Sequence, residues 1–309
     1  MQHDTSGEPA ISIIICTRNR PAQLLQCLAA LRIAARAPGA PHLEVLVIEN
    51  GSTPEAALNE DALVSAGPET TRLIRLAKGN LSMARNLGML NARGAVFAFV
   101  DDDCLVDPGW IVDIARYAKA SKGDFLMGGR VRLADPSDLP FTSKDVGEAQ
   151  VFNHGVHPGG FVQGCNFIVP RSTAQRIGMF DTRFGAGGRF RAGEDTDFII
   201  RADQLGIVIL YVPDMVVSHR HGRRSVDEIN LLNSAYAYAN GAILAKHVFR
   251  NPWLLRHLAW TLRSTFRERI GGPRFDEQIG LAWSTVAKAQ LIGFSAYLGV
   301  KLRKPTECS

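Results

Sequence analysis

Three short apolar runs constrain this chain most, because each ends abruptly in polar residues. "ISIIIC" at 11–16 runs into "TRNR", "LEVLVIE" at 43–49 into "NGS", and "AVFAFV" at 95–100 into "DDD". Runs of this length, rich in β-branched residues, read as buried strands. Helical spacings lie between them. Pro21 fits a first helical position, and Leu24, Leu25, Leu28 and Leu31 recur at helical intervals. "TRLIRL" at 71–76 is a weaker strand, followed by a helix capped by Asn80 or Ser82, running to about Ala92 and closed by Gly94. Strands alternating with helices predict an α/β fold with a mainly parallel sheet. In open sheets of that kind ligands bind beyond the carboxyl ends of the strands. Thr17–Arg20, Glu49–Ser52 and Asp101–Asp103 are therefore expected to meet on one edge.

The second half is less regular. "FVQGCNFIVP" at 161–170 reads as a strand, 185–193 as a glycine-rich loop, and Glu194 or Asp195 as the start of a helix closed by Gly206. "IVILYVP" is another buried strand, leading into "DMVVSHRHG". From Ser225 the chain turns helical, with Ser225 and Glu228 forming a capping box. A further helix starts at Asn251-Pro252, "GGP" at 271–273 breaks it, and a last helix runs to about residue 302. The expected division is a main α/β domain over 1–224 and a basic helical region over 225–309.

Composition narrows the class. The chain has 309 residues, 46% hydrophobic and 21% charged, as expected of an ordinary globular protein. No apolar run approaches the roughly 18–20 residues of a membrane-spanning helix, and "MQHDTSGEPA" lacks the pattern of a signal peptide. The five cysteines (Cys16, Cys27, Cys104, Cys165, Cys308) have no metal-type spacing and read as reduced thiols, which points to the cytoplasm. The net charge is +5, yet residues 245–309 hold eleven Lys or Arg against four Asp or Glu. The body is therefore slightly acidic and the tail basic.

The three aspartates pose the chemical question. Adjacent carboxylates repel and are costly to desolvate, so a positive partner is expected. In an extended segment Asp101 and Asp103 share one side and Asp102 takes the other. Two hard oxygen donors on one side suit Mg²⁺ or Mn²⁺ with substrate phosphates. The alternative is a solvated loop or a set of helix caps. Asp107 already supplies the cap near Pro108, so three more are surplus.

The motifs "SIIICTRNR", "VIENGS", "SMARNLGMLNARGAVFAFVDDD", "GCNFIVPR", "IGMFDTRF", "GEDTDFIIRADQLG" and "YVPDMVVSH" appear in an order that resembles an inverting family-2 glycosyltransferase. The resemblance covers about residues 11–221. It implies a GT-A fold, a Rossmann-like mainly parallel sheet flanked by helices, here with a C-terminal helical extension. A nucleotide-sugar half would span about 11–105 and an acceptor half about 106–221. Such enzymes move a sugar from a nucleotide-diphosphate donor to an acceptor hydroxyl. The resemblance implies Mn²⁺ or Mg²⁺ held by Asp101, Asp103 and His219, with His221 as runner-up, and Asp102 toward the ribose or the metal. It places Thr17, Arg18 and Arg20 along the nucleotide and Arg85 at the base or phosphates. It puts Glu49 at the base, where the family usually has Asp. Asp195 is implied as the base that takes the acceptor proton. Glu194 beside it, and Asn166 within the 161–166 segment, are implied on the acceptor. By themselves these residues also read as surface charge, an acidic helix cap and a structural histidine.

The tail carries Leu255, Leu258, Leu262 and Phe266 on one helical face and Arg256, Arg263 and Arg267 on another, with Trp253 and Trp260 at the edges. A basic amphipathic helix of this type suggests peripheral contact with an anionic membrane at the inner face of the cell membrane, away from the active site. The alternative is a helix packed on the domain. The expected acceptor is a carbohydrate or lipid-linked one, in cell-surface polysaccharide or glycolipid synthesis, and no motif supports a nucleic-acid partner. Two rival functions remain. A sugar nucleotidyltransferase is disfavoured because "TRNRP" lacks the glycines of a phosphate loop. A non-catalytic sugar-nucleotide-binding module is disfavoured by the full set of carboxylates.

Overall fold

A computed structural model of the protein describes residues 8–302; Cys308 and the start of the N-terminal segment lie outside the described residues. The strands are β1 (Ile11–Thr17), β2 (Leu43–Asn50), β3 (Thr71–Leu76), β4 (Val96–Asp101), β5 (Cys104–Val106), β6 (Phe125–Leu133), β7 (Gln150–Val151), β8 (Asn166–Pro170) and β9 (Val208–His219). The α-helices are α1 (Pro21–Ala35), α2 (Glu60–Ala66), α3 (Leu81–Asn91), α4 (Trp110–Ala120), α5 (Arg171–Ile177), α6 (Glu194–Gln204), α7 (Val226–His247), α8 (Leu255–Arg269) and α9 (Trp283–Leu302).

The strands form one sheet in the order β3-β2-β1-β4-β8-β6-β9-β5, with β7 beside β9. β3, β2, β1 and β4 are mutually parallel, as are β6 and β9; β8 runs antiparallel between β4 and β6. This is the expected mixed α/β architecture, with a mainly parallel sheet and a C-terminal helical region. Both faces of the central strands are covered, which is why they read as continuous apolar runs. Ile13 and Ile15 pack on one side with Leu24, Leu28 and Trp110. Ile14 packs on the other with Ala84, Phe99 and Phe198. Each such side chain contributes about 1.5–3 kcal/mol on burial, and that gain tolerates the charged residues at the strand ends.

Register aligns those ends. Thr17 pairs with Glu49, and Cys16 with Asp101. The expected edge therefore exists.

Several local expectations need correction. The 161–170 strand is shorter, because only Asn166–Pro170 is paired and 161–165 turns. The 207–213 run is part of a longer strand, β9, which continues to His219 through an irregularity opposite Gly129 and Arg130. Asp107 does not cap α4 through its side chain. It supplies its backbone carbonyl to Trp110 N at 2.9 Å, and no side chain caps that helix. Asn80, by contrast, caps α3 as expected, and Ser225 with Glu228 forms the capping box of α7.

The C-terminal helices dock on the sheet domain. Ala242, Ile243 and Tyr297 pack with Phe184, Phe190 and Ile200. A buried ion cluster fixes α7 to α6. Asp197, with no exposed surface, accepts from Arg201 Nε at 2.9 Å, lies 2.7 Å from His247 Nε2 and pairs with Lys246. Lys246 also reaches Asp181 at 2.7 Å. α7 and α9 cross closely, and a Cβ at Gly241 or Gly293 would collide with the facing backbone at Gln290 or Tyr238.

Candidate active site

A cleft of about 1220 Å³ opens over the carboxyl ends of β1, β2 and β4. Thr17, Arg18, Arg20, Arg85, Asp101, Asp102, Asp103, Glu194, Asp195 and His219 all line it. Residues scattered over two hundred positions thus meet in one place, because parallel strands deliver their carboxyl ends to one edge.

The three aspartates take three partners. Asp101 closes β4 and faces Arg85 Nη2 at 3.4 Å. Asp102 accepts from Thr17 Oγ1 at 2.6 Å and from Arg20 Nη1 at 3.2 Å. Burial pushes its carboxyl up to about 6, against the pull of the Thr17 hydrogen bond. Asp103 receives Arg20 at 2.8 Å and lies 3.2 Å from His219 Nε2. Arg20 is thus one positive partner that the run required. The chain leaves the strand after Asp101 and turns, so strand alternation does not govern Asp102 and Asp103, although Asp101 and Asp103 both line the cleft.

Among the described residues, Asp103 and His219 could hold a metal. With Cys104 they bring ligand atoms within 4.8 Å of one another, whereas Asp101 is outside that group. Asp103 Oδ1 is buried and has no hydrogen-bond partner among the described residues, although His219 is close. A carboxylate oxygen and an imidazole nitrogen that converge at 3.2 Å are donors of the kind that suit a shared divalent cation such as Mn²⁺ or Mg²⁺. Cys104 suits it poorly: the hydrogen bond with Cys165, and then burial, push its thiol well above the usual range. Burial lowers the affinity of His219 for a proton, but the Asp103 contact outweighs it and raises the imidazole to about 9.

Arg85 ties the two halves of the cleft together. Only 3% exposed, it donates from Nη1 to Glu194 Oε1 at 2.8 Å and from Nη2 to the Gly164 carbonyl at 3.2 Å, besides facing Asp101. Burial works against its charge, and Glu194 and Asp101 more than restore it. Burial in turn raises the Glu194 carboxyl to about 7, opposed by Arg85. Asp195 is placed differently. Its Oδ2 accepts from Gly164 N at 3.2 Å and its Oδ1 from Thr196 N at 2.6 Å, with no cation paired to it among the described residues. It sits in the first turn of α6.

Two implied residues lie elsewhere. Asn166 has no exposed surface and is not on the cleft. Its amide accepts from Trp110 Nε1 at 3.0 Å and donates to the Arg130 and Met215 carbonyls at 3.2 and 2.8 Å. That satisfied amide is a sheet fastener, which corrects the acceptor assignment. Glu49 is buried beside Arg75, whose Nε donates to it at 3.2 Å, and the adjacent Asn50 faces the cleft instead. The strand's alternation explains the exchange. His221 does not line the cleft: its ring meets that of His219 edge to face with centroids 5.3 Å apart, and its Nδ1 lies 3.9 Å from Asp138.

The tail is not remote from the site. Asn233, Tyr236 and Asn240 of α7, Trp260 of α8 and Trp283 of α9 line the same cleft. Their chain positions gave no sign of this, since α7–α9 reach the cleft only by folding back across α6. Within α8 the inward face is Leu258, Thr261 and Thr265. Leu255, Leu262, Phe266 and Ile270 point outward, 48%, 51%, 65% and 70% exposed.

Comparison with known proteins agrees with this geometry. The Glycosyl transferase family 2 model matches residues 12–191, and the chain belongs to that family. It is 27% identical over 252 residues to the succinoglycan biosynthesis protein ExoM of Rhizobium meliloti, covering 79% of this chain and 78% of that one. It is 24% identical over 216 residues to the glycosyltransferase AglE of Haloferax volcanii, covering 70% and 68%. Among solved structures it resembles residues 1–349 of S. aureus TarS, with a TM-score of 0.52 and 14% identity over 94% of this chain and 91% of that one. Against a longer TarS structure the TM-score is 0.53, and the chain spans 43% of its length. The chain is a glycosyltransferase of this family.

Proposed function

We propose that the protein transfers a sugar, with inversion, from a nucleotide-diphosphate donor to a hydroxyl of a carbohydrate acceptor, in polysaccharide or glycolipid synthesis. The observation that carries this reading is the division of labour between two adjacent carboxylates. Glu194 is held by Arg85, while Asp195 stands on the cleft without a cation. Asp195 is the base that takes the acceptor proton as the hydroxyl attacks from the face opposite the leaving diphosphate. Glu194 is a positioning residue that holds Arg85. Arg85, Arg18 and Arg20 supply positive charge to the phosphates, and Thr17 and Asp102 hold the Arg20 side of the nucleotide site.

Asp103 and His219 would hold a Mn²⁺ or Mg²⁺ ion, which when bound neutralises charge on the leaving diphosphate. Asp101, beside Arg85 in the cleft, faces the donor sugar and phosphates.

The outward face of α8 supports an anionic membrane contact and, with it, a lipid-linked acceptor. Residues 249–270 carry five arginines against one glutamate, and Leu255, Leu262, Phe266 and Ile270 are exposed among them. Apolar anchors flanked by arginine suit a lipid surface. No helix of the described residues is long and apolar enough to cross a membrane.

The test is a thermal-shift screen of nucleotide sugars with Mn²⁺, followed by nucleotide release measured with and without acceptor. Stabilisation by one donor and release stimulated by acceptor are expected. Donor binding with no release under any acceptor would instead mark a binding module.

A further inference from the structure

The family model ends at residue 191, so the helices that follow are not part of the matched segment. They nevertheless build one wall of the cleft. α7 presents a single stripe to it, Asn233, Tyr236 and Asn240, at intervals that share one helical face. α8 adds Trp260, the α8–α9 connection adds Phe275, and α9 adds Trp283.

Two independent features mark this wall as made for a ligand. The first is an unsatisfied amide. Asn233 is 8% exposed, lines the cleft, and its Nδ2 has no hydrogen-bond partner among the described residues. Gln163, which lines the same cleft, has a buried Oε1 in the same condition. Leaving such a group unpaired costs about 1–3 kcal/mol, so a hydroxyl-bearing ligand that both donates and accepts would relieve both.

The second is a set of exposed rings. Trp260 is 60% exposed, Phe275 41% and Tyr236 37%. Two of the rings are braced. Phe275 meets Trp283 edge to face, with centroids 4.9 Å apart, and Tyr236 stacks on Phe141 at 6.1 Å and 19°. Flat rings fixed in place, interleaved with amides, offer apolar area at low ordering cost together with directed hydrogen bonds. The chemistry complementary to that is a pyranose ring, whose C–H face lies on an aromatic plane while its hydroxyls meet amides. Of the cleft residues from α7–α9, none is a carboxylate and Arg256 is the single arginine, so the wall is not built for a diphosphate.

We propose that α7–α9 form the acceptor subsite, with Trp260 as the stacking platform for an acceptor sugar ring and Asn233 as a hydrogen-bond donor to its hydroxyls. This rests on the glycosyltransfer reading and names the acceptor's chemical class at that site. It also gives the helical region a task in the reaction: these helices place the acceptor hydroxyl toward Asp195, which lies on the same cleft.

Saturation-transfer NMR on the full chain tests it, with methyl β-glycosides of glucose, galactose and N-acetylglucosamine, and with cellobiose and lactose, as probes. Uridine and guanosine diphosphates with Mn²⁺ serve as the donor-side control. At least one sugar should bind the wild type, bind about tenfold more weakly to Trp260→Ala and to Asn233→Ala, and recover in Trp260→Phe, with nucleoside diphosphate binding unchanged throughout. Trp260 is exposed, so its variants are not expected to unfold the chain. Equal sugar binding in both alanine variants, or no sugar binding while a nucleoside diphosphate binds, overturns the acceptor subsite. Failure of both nucleoside diphosphates to bind the wild type overturns the glycosyltransfer reading instead.

Discussion

Arg85 and Glu194, 109 positions apart in the chain, form a buried ion pair at 2.8 Å in the floor of the cleft. The same guanidinium faces Asp101 at 3.4 Å. One side chain therefore fixes the end of β4 relative to the start of α6. Among the described residues Glu194 has a cation partner and Asp195 has none.

Asp195→Asn should lower kcat by roughly 10²-fold or more while donor affinity stays near wild type, because a base acts on the acceptor proton and not on the nucleotide. Glu194→Gln should act differently, weakening donor binding as well, since Arg85 loses its anchor. Single-turnover transfer alongside calorimetric donor titration separates the two. An active Asp195→Asn beside an inactive Glu194→Gln would exchange the assigned roles.

Metal binding should require Asp103 and His219 and tolerate loss of the Cys104 thiol. Mn²⁺ titration followed by electron paramagnetic resonance should show strong loss of binding in Asp103→Ala and in His219→Ala, and little change in Cys104→Ala. Nucleoside diphosphate binding should weaken on addition of EDTA. Full turnover in excess EDTA would contradict the metal assignment.

Acid should release the helical region early. Burial raises the Asp197 carboxyl, but the His247 hydrogen bond and the Lys246 and Arg201 charges outweigh it and hold it well below the usual range. Asp181 is likewise brought down to about 2, as its bonds from Arg183 and Lys246 overcome burial. Folded values below the unfolded value of about 3.9 mean that this stability is present above pH ~4 and is lost as pH falls toward 2. Urea unfolding between pH 6 and 3 should show the loss in the wild type. Asp197→Ala leaves Lys246 and Arg201 short of a buried partner and should cost about 3–5 kcal/mol at neutral pH, with a flatter acid dependence. A wild-type stability unchanged down to pH 3 would remove the cluster's role.

Vesicle flotation examines the outward face of α8. The protein should rise with anionic vesicles at low salt and much less at high salt or with neutral vesicles, each basic residue contributing about 1 kcal/mol near such a surface. Replacing Arg263 and Arg267 by Gln together with Leu262 and Phe266 by Ser should abolish flotation. These side chains do not line the cleft, so transfer to a soluble acceptor should persist. Recovery equal on both vesicle types would leave the face without a lipid role.

The sequence by itself determined the alternation of strands and helices, the aspartate run after β4, a cap at Asn80 or Ser82, the cap at Ser225 and the position of the acidic turn at Glu194 and Asp195. These are local properties: hydrophobic period, capping chemistry and the abrupt polar ends of buried strands all act within a few residues. What only the tertiary structure decided was partnership. Asn166 proved to fasten the sheet because Trp110, Arg130 and Met215 happen to surround it. Glu49 yielded the cleft to Asn50 through strand alternation and pairing with Arg75 across the sheet. Asp101 pairs with Arg85 and Asp103 with Arg20, because the chain leaves β4 and turns between them. The basic tail, which composition set apart as a different kind of surface, became a wall of the cleft. Contacts made across a hundred residues or more depend on how elements pack in three dimensions, and no local period records that.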